Sequence, residues 1–268
     1  MFRLCTAVEG PELEGEDVQL REQIMVGASR YADELIMRRH RVCGARKILI
    51  VTCTESWGYS QGKLNRLLAD VAATHLAAGG CEVRMFECTE VNSSQWNAEQ
   101  EVKNIVWADA IIFQFPVWWF SHPWAMKKWF DRGWLVGKVC ANDGRTRKDP
   151  TKRYGTGGLL NDKFYMISST WNAPQPIFRD PEGIFYGLGT DMSLNAVHVT
   201  GSFTGMTALE SFSCHDVMKD PQIDADIDRY KIHLNRVFDL HATTPTHLNK
   251  MSSDLKSAAP SSESFFGN

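Results

Sequence analysis

The chain has 268 residues, of which 43% are hydrophobic and 23% charged, with a formal net charge of -3. That length suits one large domain or two small ones, and the balance of apolar and charged residues excludes a mostly disordered chain. The slightly acidic charge leaves no global positive field to hold nucleic acid or an anionic membrane, and apolar runs such as residues 48–51 and 110–113 fall far short of the roughly 20 residues that span a bilayer.

Residues 1–46 read as a polar leader. Ile24, Tyr31, Leu35 and Ile36 recur at helical spacing, which predicts an amphipathic helix over 17–41 that ends near Arg38 and Arg39. The leader is acidic at Glu9, Glu12, Glu14, Glu16 and Asp17 and lacks an apolar core, so it fits neither a transit nor a signal peptide. Seven cysteines are scattered with no C-x-x-C pair, which argues against a zinc site or a redox dithiol and predicts reduced thiols in the cytoplasm.

From residue 47 the pattern alternates. Residues 47–53, K-I-L-I-V-T-C, form an apolar β-branched run expected to be a strand buried on both faces. Residues 62–78 predict a helix closed by Gly79-Gly80, 82–87 a second strand, 98–108 a helix and 110–115 a third strand. A helix over 123–134, a fourth strand over 164–169, a fifth near 209–213 and a closing helix over 223–240 follow. Strands separated by helices imply parallel pairing, so the expected fold of 47–240 is a doubly wound α/β sandwich. Residues 241–268 include six serines between Ser252 and Ser264 and are expected to be a disordered tail.

In such a sheet ligands bind beyond the carboxyl ends of the strands. This selects three loops. The first, 54–61, leads into Gly62-Lys63-Leu64-Asn65, where hydroxyls and free N–H groups at a helix start suit a phosphate; a plain turn with Ser60 as the helix cap is the competing reading. The second, Pro116-Val117-Trp118-Trp119-Phe120-Ser121-His122-Pro123-Trp124, is a stiff aromatic wall suited to a flat conjugated ligand, or else core or dimer interface. His122 reads as a structural polar contact. The third opens Thr170-Trp171-Asn172-Ala173-Pro174, which can hydrogen-bond the polar edge of a heterocycle or simply turn. Between the third and fourth strands, residues 142–158 are basic and glycine-rich, and read as a mobile loop that covers a ligand or contacts a partner, or as a solvated surface loop. A Walker loop is absent because Leu64 stands where Ser or Thr must bind magnesium, and H-E-x-x-H is missing, so no metal is expected.

Residues 47 to about 238 resemble the modulator-of-drug-activity-B group of NADPH:quinone oxidoreductases, within the flavodoxin-like quinone reductases. The resemblance is carried by G-K-L-N at 62–65, P-V-W-W at 116–119, P-W-A-M-K-K-W at 123–129, D-G-R-T-R-K-D-P-T-K-R-Y-G-T-G-G at 143–158 and T-W-N-A-P at 170–174. It implies a flavodoxin-like five-stranded parallel sheet of order 2-1-3-4-5, bound FAD, NAD(P)H as electron donor, small-molecule quinones as acceptors, and a homodimer. Position by position, Ser60, Gly62, Leu64 and Asn65 would hold the FAD pyrophosphate, and Pro116, Val117, Trp118, Trp119 and Phe120 would lie along the isoalloxazine. Thr170, Trp171, Asn172 and Ala173 would meet its pyrimidine side, and Tyr154 would reach it from the same or the partner subunit. Donor and quinone sharing one pocket implies two-electron, ping-pong reduction. Backbone N–H groups of Trp118, Trp119 and Asn172 would stabilise negative charge, and Arg145, Arg147, Lys148, Lys152 and Arg153 would favour NADPH. Relatives often carry His in an F-F-H-G context where this chain has Ile184-Phe185-Tyr186-Gly187, so either Tyr186 substitutes for it through its hydroxyl or that role is absent. The competing reading is a flavodoxin-like protein that binds flavin or a partner without turnover.

Overall fold

The computed structural model describes residues 44–240; the leader helix and the serine-rich tail lie outside the described residues. Strand β1 (Lys47–Thr52) is buried from its second residue and β3 (Ala110–Pro116) along its whole length. Neither has a polar face, because helices cover both sides of the sheet. β1 pairs in parallel with β2 (Glu82–Glu87) and with β3, and β3 pairs in parallel with β4 (Phe164–Thr170). With β5 (Thr207–Ala208) at the edge, the order is β2-β1-β3-β4-β5, the doubly wound flavodoxin-like order.

The pleat sorts the core into two layers. Ile48, Ile50, Ala110 and Ile112 face α1 (Lys63–Ala78) and α6 (Ile223–Val237), meeting Leu68, Ala72, Leu76, Tyr230 and Leu234. Leu49, Val51, Phe113 and Phe115 face α2 (Ala98–Trp107) and α3 (Trp124–Gly133), meeting Ile105, Met126, Trp129 and Phe130.

The fifth strand differs from the expectation of a continuous run at 209–213. It is split into β5 (Thr207–Ala208) and β6 (Phe212–Cys214), which pair with the start and the end of β4. Tyr165 faces Ala208 and Ser168 faces Phe212, so three steps on β4 match four on its neighbour. The extra residue is a bulge that bends the edge. Two helices escaped the sequence reading, α4 (Gly189–Ser193) and α5 (Asn195–Phe203). α5 is short and contains Thr200-Gly201-Ser202, poor helix formers that tertiary packing overrides. Gly201 is required there, because a Cβ would sit 2.5 Å from the Tyr165 ring. His198 ties α5 down, with Nδ1 3.0 Å from the Tyr165 hydroxyl and Nε2 3.2 Å from Asp191.

The basic insertion is also tethered rather than loose. Ala141 N–H donates to Gly157 O at 2.8 Å and Leu160 N–H to Thr204 O at 2.9 Å, and the Tyr154 ring lies 5.3 Å from that of Phe203.

Glu101 is the charged residue the core tolerates least. It is buried on α2, one carboxyl oxygen has no hydrogen-bond partner, and burial pushes its pKa up to about 7, with the Trp129 indole opposing and Glu90 adding to the shift. A carboxyl that stays protonated in the folded state to about pH 7, but ionises near 4.5 when unfolded, stabilises the fold below pH 4.5 and loses that contribution as pH rises through 7. Thermal melts should therefore show Glu101→Gln gaining on the parent between pH 5 and 8 by about 2 kcal/mol, or roughly 4–8 °C. Parallel melting curves across that window would remove Glu101 as the cause.

Candidate active site

β1 and β3 are neighbours whose crossovers leave to opposite faces, so the crevice at their carboxyl ends is the switch point of the sheet. The first loop begins at Thr54, which the sheet holds firmly. Its N–H donates to Glu87 Oε2 at 3.1 Å, its hydroxyl donates to the same oxygen at 2.6 Å, and Arg66 donates to that hydroxyl at 3.0 Å. Trp57 and Ser60 then close a two-residue hairpin through reciprocal bonds of 2.8 and 3.0 Å, with Gly58 at φ +55°. Ser60 is thus not the helix cap. Gly62 occupies that position at φ +68° with no side-chain cap, and in the first turn of α1 the N–H groups of Leu64 and Asn65 have no acceptor among the described residues.

Asn65 itself turns inward. Its carboxamide accepts from Gln114 Nε2 at 2.8 Å and donates to Thr170 Oγ1 at 2.9 Å, and all three side chains are buried. This chain of bonds ties α1, β3 and β4 together beneath the crevice. Glu87 and Gln114 were missed from sequence. Gln114 had a visible signal, a lone amide in the apolar run A-I-I-F-Q-F, whereas Glu87 had none.

In the second loop Val117 N–H donates to Thr170 O at 2.9 Å, and Trp118 and Ser121 form another two-residue hairpin. Its central residues, Trp119 and Phe120, have φ of +46° and +64°, the backbone of a type I′ turn that normally calls for Asn or Gly. Bulky aromatics in that conformation cost of order 1–3 kcal/mol each, strain that concentrates at functional sites. Trp119 is 94% exposed and Phe120 52% exposed. The Trp124 ring touches both Trp57 (5.2 Å) and Trp118 (5.4 Å), joining the first two loops. Trp118 N–H is already spent on Ser121 O at 2.9 Å, so the expectation that it stabilises ligand charge is corrected. His122 is the structural contact expected: it lies between the Phe115 and Phe130 rings, and burial lowers its pKa.

The third loop contributes backbone more than rings. Trp171 is 3% exposed, its indole donates to Ser169 Oγ at 2.9 Å, and it packs on Phe178. Its side chain therefore belongs to the core, and its main chain is engaged as well, the N–H donating to Cys214 O at 2.9 Å and the carbonyl accepting from Val217 N–H at 3.1 Å, so the free groups of this loop begin at Asn172. Among the described residues the N–H groups of Trp119, Phe120, Asn172 and Ala173 have no acceptor within the protein. Phe185 reaches across to Phe120 at 5.9 Å, and the next residue, Tyr186, is exposed at φ +52°. Tyr154 is not gathered here. It packs at a tilt against Phe203 at the end of α5, which runs back to the strand-start edge of the sheet. Among the described residues no group of three or more His, Cys, Asp or Glu could hold a metal, and no helix is long and apolar enough to cross a membrane.

The arrangement has known counterparts. Residues 46–237 match the family model described as flavodoxin-like fold. The NADPH:quinone oxidoreductase MdaB of Haemophilus influenzae is 38% identical over 193 residues, 71% of this chain and 98% of its own length. The chain belongs to the flavodoxin-like fold family, in its modulator-of-drug-activity-B group. The Schizosaccharomyces pombe protein C5H10.05c is 40% identical over 194 residues, covering 72% of this chain and 97% of that one. Among solved structures, general stress protein 14 of Treponema denticola in complex with FMN superposes with a TM-score of 0.53 at 16% identity, covering 73% of this chain and 99% of that chain. At that identity the likeness shows the flavodoxin-like fold alone.

Proposed function

We propose that this chain is an FAD-dependent NAD(P)H:quinone oxidoreductase that works as a cytoplasmic homodimer. The observation that carries the reading is the juxtaposition, at the switch point, of an uncapped helix N-terminus with a strained, exposed aromatic turn. A flavin has a pyrophosphate for the first and a flat ring for the second. The likeness to MdaB, over nearly its whole length, supports the same reading.

When bound, the flavin supplies two-electron redox chemistry. The N–H groups of Leu64 and Asn65, with Ser60 and Gly62, would receive the pyrophosphate, favoured by the positive end of the α1 dipole. Pro116, Val117, Trp118, Trp119 and Phe120 would line the ring. The N–H groups of Trp119, Asn172 and Ala173, in a loop anchored by Thr170 and Trp171, would hold its polar edge and stabilise negative charge there. The aromatic rim of Trp119, Phe120 and Tyr186 lies open in one chain, which suits closure by a second copy that brings Tyr154. Donor and quinone would enter that single opening in turn, hence ping-pong kinetics. The free thiols Cys53, Cys81, Cys88, Cys140 and Cys214 suit a reducing compartment.

Tyr186 would carry a proton to or from the quinone through its exposed hydroxyl. Tyr186→Phe should leave flavin content intact and lower menadione turnover on the order of tenfold to a hundredfold; an unchanged kcat would strip Tyr186 of that role. Arg145 pairs with Asp143 and lies over the Tyr154 ring at 5.3 Å, so it would travel with Tyr154 to the partner's flavin. Reversing Arg145 and Arg147 to Glu should cut the NADPH-over-NADH preference by roughly tenfold or more, read as the ratio of kcat/KM values.

The reading as a whole is tested by the visible spectrum. A flavin band that NADPH bleaches without oxygen and menadione restores is the expected result. A band that NADPH leaves untouched would instead favour a binding module without turnover, and no band after incubation with FAD would defeat both.

A further inference from the structure

The free edge of the sheet holds a concavity of about 460 Å3, on the far side of the segment that continues the third loop. The bulged segment Glu210–Ser213 forms its floor, with α6 on one side and the turn around Gln175 and Arg179 on the other. Three guanidinium groups, Arg179, Arg229 and Arg236, line it against one carboxylate, Glu210. Arg236 holds Glu210 at 2.7 Å, and Arg229 is held by Asp226 and lies 4.9 Å over the Phe212 ring. Arg179 has no side-chain partner among the described residues.

The floor is rich in donors and poor in acceptors. In a parallel strand the N–H and C=O of one residue point the same way. Cys214 O accepts from Trp171 N on the β4 side at 2.9 Å, so Ser213 faces outward. The outward carbonyls are already occupied, Ser213 O by Arg229 at 3.1 Å and Glu210 O by His233 Nε2 at 3.0 Å. An incoming peptide strand would find no alternating donors and acceptors to pair with. What remain are chiefly donors, the Ser213 N–H and the Arg179 guanidinium, beside two buried side-chain atoms with no partner among the described residues, Ser211 Oγ, whose hydroxyl can donate, and His215 Nδ1. Sheet edges with outward N–H groups make anion-binding concavities, and Arg forks match phosphate oxygens.

We propose that this groove binds the phosphate group of a small phosphorylated ligand of about nucleotide size. The chemistry is that of a phosphate ester, whether carried by the dinucleotide donor or by a separate molecule. The proposal stands apart from the flavin reading, since its probe is heat of binding rather than turnover.

The test is calorimetric titration of the full chain, preincubated with FAD, with inorganic pyrophosphate and with 2′-AMP at low ionic strength. Saturable binding at one site per chain is expected, weakened roughly tenfold or more by Arg179→Gln, partly restored in Arg179→Lys, and lost in Ser211→Asp, which puts a carboxylate into the floor. An unchanged visible spectrum and melting temperature of Arg179→Gln would show that the fold survives. If 2′-AMP then competes with NADPH but not with NADH, the ligand is the donor's own phosphate; if it binds without altering either KM, the ligand is a separate molecule. Both results uphold the site. No saturable heat with either probe, or binding indifferent to Arg179→Gln and Ser211→Asp, would overturn it.

Discussion

Gly62→Ala is expected to yield a colourless protein whose affinity for FAD has fallen a hundredfold or more. Gly62 has φ +68°, and a Cβ there would sit 2.0 Å from Thr54 O, a backbone atom. Thr54 cannot retreat easily, because Glu87 takes both its N–H and its hydroxyl while Arg66 donates to that hydroxyl from α1. The first turn of α1 must therefore lift away, carrying the N–H groups of Leu64 and Asn65 out of line with a phosphate. The left-handed backbone alone costs about 1–2 kcal/mol in an L-residue, and the clash adds to it. Gly58→Ala is the matched control. It has φ +55° but open space around a Cβ, so it should lose about 1 kcal/mol of stability and keep its flavin. Titrating FAD into each variant by fluorescence quenching reads the difference. Equal affinities for Gly62→Ala and Gly58→Ala would show that close packing of α1 on Thr54 does not shape the phosphate seat.

The second large effect is expected at Asn65. Asn65→Leu keeps the branched shape and the number of heavy atoms but strands Gln114 Nε2 and Thr170 Oγ1, two buried groups left with a missing partner. Each unsatisfied buried group costs about 1–3 kcal/mol, so a loss of about 3 kcal/mol is expected. That corresponds to a fall in Tm of roughly 6–12 °C. Asn65→Leu combined with Gln114→Leu should cost less than the sum of the two single changes, because the second removes a donor that the first had stranded. Denaturant unfolding of the four proteins closes the cycle. A single-variant loss below about 1 kcal/mol would mean that water replaces the network and the three elements are tied together by packing alone.

These two residues mark where sequence reading stops. Gly62 and Asn65 were both legible as members of a helix start suited to a phosphate, through their place after a strand and before an amphipathic helix. Their mechanisms were not. Gly62 is required by an oxygen of Thr54, and Asn65 by Gln114 and Thr170, the last 105 positions away. No local pattern encodes that distance.

The sequence by itself determined the strands β1 to β4, the amphipathic helices between them and, through the position of the loops at carboxyl ends, the three segments that converge. Those features rest on the period of hydrophobicity, which each segment carries alone. Only the tertiary structure decided which groups in those segments are free. Trp118 spends its N–H on Ser121, Trp171 hides its indole beneath the loop, and Ser60 closes a hairpin instead of capping α1. It also decided the bulge at 209–211, the short helices over 189–203 and the placing of Tyr154 on Phe203, away from the crevice. In each case the outcome turns on a partner brought close by folding, because satisfying buried polar groups and filling space are properties of pairs, not of residues.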